Sequence, residues 1–431
     1  MALAAAIVWE IRTTGAATNG GGFKKDASGT DWTQQDTAQY AVTDGVTNGS
    51  TTITSATASF GTDVVGNLIY VSGGTGSVAA GWYEITSRTN ATTIVVDRST
   101  GLTAGTGVTL NIGGAIDSIE TLPDIGVADN TYWIKSGTYT IGSAVNIKGG
   151  SVGTKTRIYG YTTTRGDEST RPILRTSGAT ACLTTRTTST GEREFIFCNI
   201  DFDGNSAGTT AIGNSTTSGG ALWYFRRCTV RNFTGTAGLV APFGAILDEC
   251  TVVGNAGIGV SATTIGLDVR NSLVADNTGN GLSFTASASS IVARGSVFAR
   301  NNHGIACRSI SAGNCAFVDN AGDGINPSTN AAVTGQFPHL VNNIFYGNGG
   351  YGIGMQSSQA NLLSNIGTVR NNAFGSNTSG NYNATITSYG DVTLTADPFT
   401  AKASDDYSLN STAGGGAACK ELGYPSAFPV P

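Results

Sequence analysis

Only 12 % of the 431 residues are charged, so a place where charge gathers is informative. Arg226, Asp248, Arg270 and Arg294 recur at steps of 22, 22 and 24 residues. Arg227, Glu249 and Asn271 each follow one place later, and Asp268 lies next to them. Carboxylates flanked by arginines can act on an acidic sugar: arginine holds the uronate carboxylate while a carboxylate or arginine moves the proton. Asp248, Glu249, Arg226 and Arg270 are therefore the candidate catalytic residues. Arg227, Asp268, Arg294, Trp223 and Tyr224 are the candidate glycan-binding residues. The competing reading is an alternating ion-pair ladder, which is worth little when exposed. Trp32, Trp82, Trp133 and Tyr351 add ring faces that can stack on sugars or pack internally.

Other chemistries have little material. The two histidines, His303 and His339, cannot supply a histidine-rich metal site; His303 reads as a solvated turn residue and His339 as the start of a strand. The seven cysteines lack C-x-x-C spacing, and zinc and redox motifs are unsupported. Gly149 to Thr156 resembles a phosphate loop without its Gly-Lys pair. Asp276, Asp319 and Asp323 are spread too widely to converge on calcium. No cofactor and no metal are expected. A net charge of -5 argues against nucleic acid as a partner. No apolar run is long enough to span a membrane, and the opening residues lack a basic export signal.

A repeat must position the charged cluster. Segments beginning at Trp223, Ala245, Leu267, Ile291, Ile310 and His339 align, each with three short runs of period two separated by polar turns. A common asparagine falls at Asn232, Asn255, Asn277, Asn301, Asn320 and Asn348, where side-chain amides can form a ladder. A glycine and an aliphatic residue follow it, as in Gly281-Leu282. A unit of this size cannot bury its own apolar face, whereas stacked copies can. The expected fold is all-β, a right-handed parallel β-helix of about 11 coils, roughly 55 Å long at the inter-strand spacing.

Two columns are expected to face inward. One holds Cys198, Cys228, Cys250, Ser272, Ser296 and Cys315. The other holds Ile200, Val230, Val252, Val274, Phe298 and Phe317. The thiols are expected to be buried and free, because stacked Cβ vectors are parallel. Four regions follow: an attachment or capping segment over 1–44, a small antiparallel β module over 45–114, the β-helix over 115–395 and a cap over 396–431. Short helices are expected within Ala115 to Gly126 and near Ala417 to Leu422.

The coils resemble the pectate-lyase-like right-handed parallel β-helix superfamily, of the kind found in phage tailspike and virion-appendage proteins. The opening, Val8-Trp9-Glu10-Ile11-Arg12 followed by Asn19-Gly20-Gly21-Gly22-Phe23 and Asp36-Thr37-Ala38-Gln39, resembles the front of β-helix proteins encoded by bacterial viruses. The run Val65-Gly66-Asn67 to Gly81-Trp82-Tyr83-Glu84-Ile85 is similar to a β module that follows it. Asp397-Pro398-Phe399 through Asp406-Tyr407-Ser408-Leu409 resembles a terminal coil. The resemblance implies a virion appendage made in the host cytoplasm, a homotrimer contacting other virion proteins and host-surface polysaccharide. The alternative it implies is a secreted or virion-borne polysaccharide depolymerase, a lyase or glycoside hydrolase acting on an acidic polysaccharide. No lyase motif is matched, so no catalytic residue is carried over.

Overall fold

The computed structural model describes residues 3, 7–122, 129–148, 155–186, 193–214, 221–241, 244–262, 266–284, 291–307, 309–327, 339–354, 368–383 and 388–420. One coil shows how sequence makes the fold. Ala245–Asp248 is a strand of alternating burial. Glu249 then turns left-handed (φ 53°), and Thr251–Val253 leaves in a new direction. Asn255 marks the next corner, and Ile258–Ala262 closes the coil. The first corner is the same in successive coils: Asn199, Arg227, Glu249, Asn271, Gly295, Asn314, Asn342 and Asn371 have φ between 47° and 57°. Asn is at home in this region, while Arg and Glu are strained there.

Stacking these coils gives three parallel faces. The first sheet has 12 strands, from Gly22–Lys24 and Ile7–Ile11 through Thr131–Lys135 to Thr368–Arg370; only Gly22–Lys24 runs antiparallel. The second has 11, from Thr138–Ile141 to Val392–Thr393. The third is split, with three strands from Val145–Lys148 to Thr210–Asn214 and seven from Ala237–Ala241 to Gly380–Tyr382. The fold is a parallel β-helix, as the repeat implies.

Ladders run up its interior. Each Asn Oδ1 from Asn277 to Asn377 accepts the backbone N–H of the asparagine one coil below, from Asn255 to Asn348. Each Nδ2 also reaches the next amide oxygen. The glycine after each asparagine is fixed by the close approach this demands. A Cβ on Gly281 would lie 2.6 Å from the Gly304 carbonyl oxygen and 3.0 Å from Asn301 Nδ2. Beside the ladder, Phe298, Phe317, Phe345 and Phe374 stack with centroids 5.1, 4.8 and 5.0 Å apart.

Both expected columns contain a slip. Cys198 pairs with Arg226, not with Cys228, so Ile200 lies beneath Cys228 and Phe202 beneath Val230. A slip of two residues preserves alternation, so periodicity alone does not detect it. Cys198 accordingly faces outward, covered by Glu168 at 3.4 Å, rather than into the core. Asn232 is also out of the ladder. It stands at a left-handed corner (φ 61°), and Phe233 N–H donates to Asn255 Oδ1 in its place. From Cys228 upward the first column holds: Cys250 N–H donates to Ser272 and Ser272 N–H to Ser296, and above Cys315 the column continues as Asn343, Asn372 and Asp391. All seven cysteines are buried and free.

The ends also differ from the sequence reading. Ile7–Ile11 pairs in parallel with Thr131–Lys135, which makes it a coil strand and not a separate segment. Ile7, Trp9 and Ile11 alternate into the core. Glu10 points the other way and is wholly buried, bound by Arg12 (2.8 Å), Arg165 (2.7 Å) and the Tyr161 hydroxyl. Between these strands the chain forms a closed six-stranded antiparallel barrel. It begins at Tyr40 rather than residue 45, because a bulge at Gly45 interrupts the alternation that would reveal its first strand. Over 115–126 the structure holds a 3-10 turn at Ile119–Thr121, and residues 123–128 lie outside the described residues. At the other end, Phe399–Ala401, Asp406–Leu409 and a short helix Gly416–Lys420 cover apolar side chains on the outside of the second sheet.

Candidate functional site

Strand alternation sends every second residue of the first sheet outward. One outward column reads, in register, Glu10, Trp133, Tyr159, Cys198, Arg226, Asp248, Arg270, Arg294, Gly313, Val341 and Arg370. Its neighbour includes Arg157, Tyr224, Asp268, Ser311 and His339. Arg226, Asp248, Arg270 and Arg294 thus stand in line, as their spacing implies.

The ladder of alternating ion pairs does not form. Arg270 turns back to Asp268 on its own strand. Asp248 accepts weak hydrogen bonds from the Tyr224 hydroxyl (3.4 Å) and Asn271 Nδ2 (3.5 Å), and among the described residues it has no ion pair. Burial, and then the Asp248 charge, push the Tyr224 phenol up.

Arg227 and Glu249 lie off this line, at the left-handed corner. Arg227 Nε donates to Glu249 at 2.5 Å, and Nη1 donates to Glu168. The bond from Arg227 holds the Glu249 carboxyl below the usual range. Glu249 is therefore ionised at neutral pH and is not poised as a general acid. Glu168 was missed in the sequence. It comes from the segment joining Lys155–Tyr161 to Ile173–Thr176, whose charge (Arg165, Asp167, Glu168, Arg171) was the available signal.

Trp223 is not a glycan residue. It is 1 % exposed and packs edge-on against Phe225 at 6.4 Å, while Tyr224 takes the outward place. Trp82 is similarly engaged, donating to the Asn19 carbonyl oxygen and meeting Tyr70 at 4.8 Å with the rings tilted. Trp133 does lie on the outward column, 4.8 Å from Tyr159, and forms an aromatic ledge before Cys198 and Arg226.

His303 is more engaged than a solvated turn residue. Its Nδ1 accepts the Asp323 N–H at 2.8 Å, and Nε2 lies 3.2 Å from the Asn326 amide. His339 faces outward beside a cleft of about 350 Å³, which is lined also by Arg294, Ser311, Asn314, Val341 and Asn342. The cleft exists because Gly313 leaves a gap in the column between Arg294 and Val341. Asn342 Oδ1 at its edge is buried and has no hydrogen-bond donor among the described residues.

The arginines then separate into two groups. Among those whose side chains are described, most are bound: for example Arg12, Arg157, Arg175, Arg231 and Arg300 to carboxylates, Arg88 to a carbonyl and Arg171 to Thr229. Arg226, Arg294 and Arg370 have no side-chain hydrogen bond or ion pair among the described residues, and all three stand in the one outward column. In a chain of net charge -5, unpaired arginines gathered in one line mark a surface for an anionic ligand. Among the described residues no group of acidic, histidine and cysteine side chains suits a metal ion.

Residues 210–366 match the family model described as "Right handed beta helix region". The chain is a right-handed parallel β-helix. Among solved structures it is similar to pectate lyase Pel9A, with 14 % identity over 74 % of this chain and 84 % of that one, at a TM-score of 0.41. It is similar to ORF18 of Geobacillus virus E2, with 13 % identity over 65 % of this chain and a TM-score of 0.39; the match covers 56 % of that protein's length. The tailspike protein gp49 of Pseudomonas phage LKA1 matches at 13 % identity over 80 % of this chain and 61 % of that one, with a TM-score of 0.18. No curated protein matches the sequence.

Proposed function

We propose that this chain is a β-helical appendage of a phage virion that binds an anionic host-surface polysaccharide along the outer face of its first sheet. The observation that carries the binding reading is the column of Arg226, Arg294 and Arg370, unpaired among the described residues and entered over the Trp133 and Tyr159 ledge. An arginine fork meets a carboxylate or phosphate in two parallel hydrogen bonds, and an aromatic face stacks on a sugar ring. The virion reading rests on the resemblance of the opening and closing segments to phage-encoded β-helix proteins. The homotrimer is an expectation from the same source, and sedimentation of the purified chain measures it.

The test is titration of the intact chain with acidic and neutral bacterial polysaccharides, followed calorimetrically. Acidic polymers are expected to bind in a salt-sensitive way, and the triple variant R226A/R294A/R370A to lose that binding while remaining folded. Equal binding of neutral polymers, or an undiminished triple variant, refutes the reading. Mass spectrometry of virions tests the location. A depolymerase reading is left with Asp248, the candidate carboxylate that lacks an arginine partner. Release of unsaturated uronates or reducing ends, abolished in Asp248→Ala, would establish it.

A further inference from the structure

The three arginines that have no partner among the described residues are evenly placed. From Arg226 the column passes Asp248 and Arg270 to reach Arg294, and from Arg294 it passes Gly313 and Val341 to reach Arg370. Each interval is three coils, which is about 14 Å at the spacing of neighbouring strands.

The positions between them are not cationic. Asp248 is a carboxylate with no ion pair among the described residues, and it accepts from Tyr224 and Asn271. Arg270 is neutralised by Asp268. Gly313 offers a gap, and Val341 offers an apolar side chain. A second carboxylate on the ligand at the Asp248 coil would meet like charge, which costs affinity. The face therefore favours an anion at every third coil and disfavours one at the coil next to Arg226.

An extended pyranose residue advances along its polymer by about the height of one β-helix coil. Resting on the function proposed above, we infer that the ligand is a linear polysaccharide carrying one anionic group on every third sugar, so that successive acidic sugars meet Arg226, Arg294 and Arg370. The intervening neutral sugars lie over Asp248 and the Arg270–Asp268 pair in one interval, and over Gly313 and Val341 in the other. Asp248 and the buried acceptor of Asn342 can take hydroxyl hydrogens there. The cleft at Gly313 gives room for a ring beside Arg294 and His339. The period belongs to the protein, because every coil is pinned in height by the backbone ladders of three sheets.

The test uses the full chain and three soluble acidic polymers. One is a bacterial capsular polysaccharide with one uronate per trisaccharide repeat. The second is hyaluronan, with a uronate at every second sugar, and the third is polygalacturonate, with one at every sugar. The trisaccharide polymer is expected to bind at least roughly tenfold more tightly than the other two. The variant R294A/G313R moves one cation by a single coil at constant net charge. The Gly313 site has open space, with no heavy atom nearer than 3.8 Å to an added Cβ, so the arginine fits. That variant is expected to lose the preference while keeping its circular dichroism and melting profile, and Arg294→Ala alone is expected to weaken the trisaccharide polymer most. Affinity rising with charge density, polygalacturonate highest, overturns the period and leaves anion binding intact. A shifted variant with unchanged preference overturns it as well. Failure of all three polymers to bind overturns the parent proposal.

Discussion

Replacing Asn301 by alanine isolates what the ladder contributes. Asn301 Oδ1 accepts the backbone N–H of Asn277 at 3.1 Å and its Nδ2 at 2.9 Å. Its own Nδ2 donates to the Val274 carbonyl at 2.9 Å and to Asn320 Oδ1 at 3.3 Å. Truncation removes all four bonds, but the losses are unequal. Asn277 Nδ2 retains the carbonyls of Val252 and Ala275, and Asn320 Oδ1 retains the N–H of residue 301. The Asn277 N–H loses this partner in a place where the side chain is 1 % exposed and water does not enter. An unsatisfied buried donor costs about 1–3 kcal/mol and the lost bond to the Val274 carbonyl about 0.5–1.5 kcal/mol, so Asn301→Ala should cost about 1.5–4.5 kcal/mol. The adjacent Asn302 is a control, since among the described residues its exposed side chain reaches only Asn280, at 3.4 Å, and its loss should stay within about 0.5 kcal/mol. Urea titration gives both values, and native-state hydrogen exchange should show the Asn277 amide losing protection. A cost below about 1 kcal/mol with that amide still protected would refute the reasoning.

The other expectations concern the foot of the stack, the glycine column and the thiols. Arg165→Ala leaves the buried Glu10 with one guanidinium and releases Asp31 and Thr33; breaking such a buried pair costs about 3–5 kcal/mol, visible as early proteolysis within the opening residues. Gly281→Ala places a methyl 2.6 Å from the Gly304 carbonyl and should lower Tm by several degrees, whereas Gly178→Ala, with no atom within 4 Å, should not. Burial pushes the Cys250 and Cys315 thiols up from 9.0 to about 12. Because the folded value is the raised one, their stabilisation is complete below pH 9 and declines as pH rises toward 12. At pH 8, a thiol reagent should find almost no reactive cysteine in the folded chain and seven after denaturation.

What the sequence reveals and hides follows from the periods involved. Stacking repeats Cys250, Ser272 and Ser296 at one address, and any alternating strand shows which side they face. Height in the stack is harder to read, because Cys198 and Cys228 differ by two residues in register and a slip of two leaves every side chain on its own face. Asn232 misled for another reason: asparagine suits both the ladder and the left-handed corner, and only Phe233 donating to Asn255 tells them apart. The line from Arg226 to Arg294 was legible as spacing. The partners were not, since Glu168 is 59 residues from Arg227 and reaches it only through the fold. Arg370 escaped because the residues before it, 355–367, break the repeat length.

The same alternation explains why the proposed site can vary without loss of the fold. The Phe298 to Phe374 stack and the asparagine ladder hold successive coils at a common height from inside. The arginine column hangs on the opposite side of the first-sheet strands, where Arg226, Arg294 and Arg370 bind nothing else among the described residues. Outward substitutions therefore change which coils carry charge without disturbing the spacing between coils. A β-helix of this kind is a ruler with fixed divisions, and the ligand it accepts is set by which divisions carry an unspent cation. By that logic a variant with Val341→Arg and Arg370→Ala should stay folded and bind a polymer of different charge spacing, because Val341 is the next division down the same outward line.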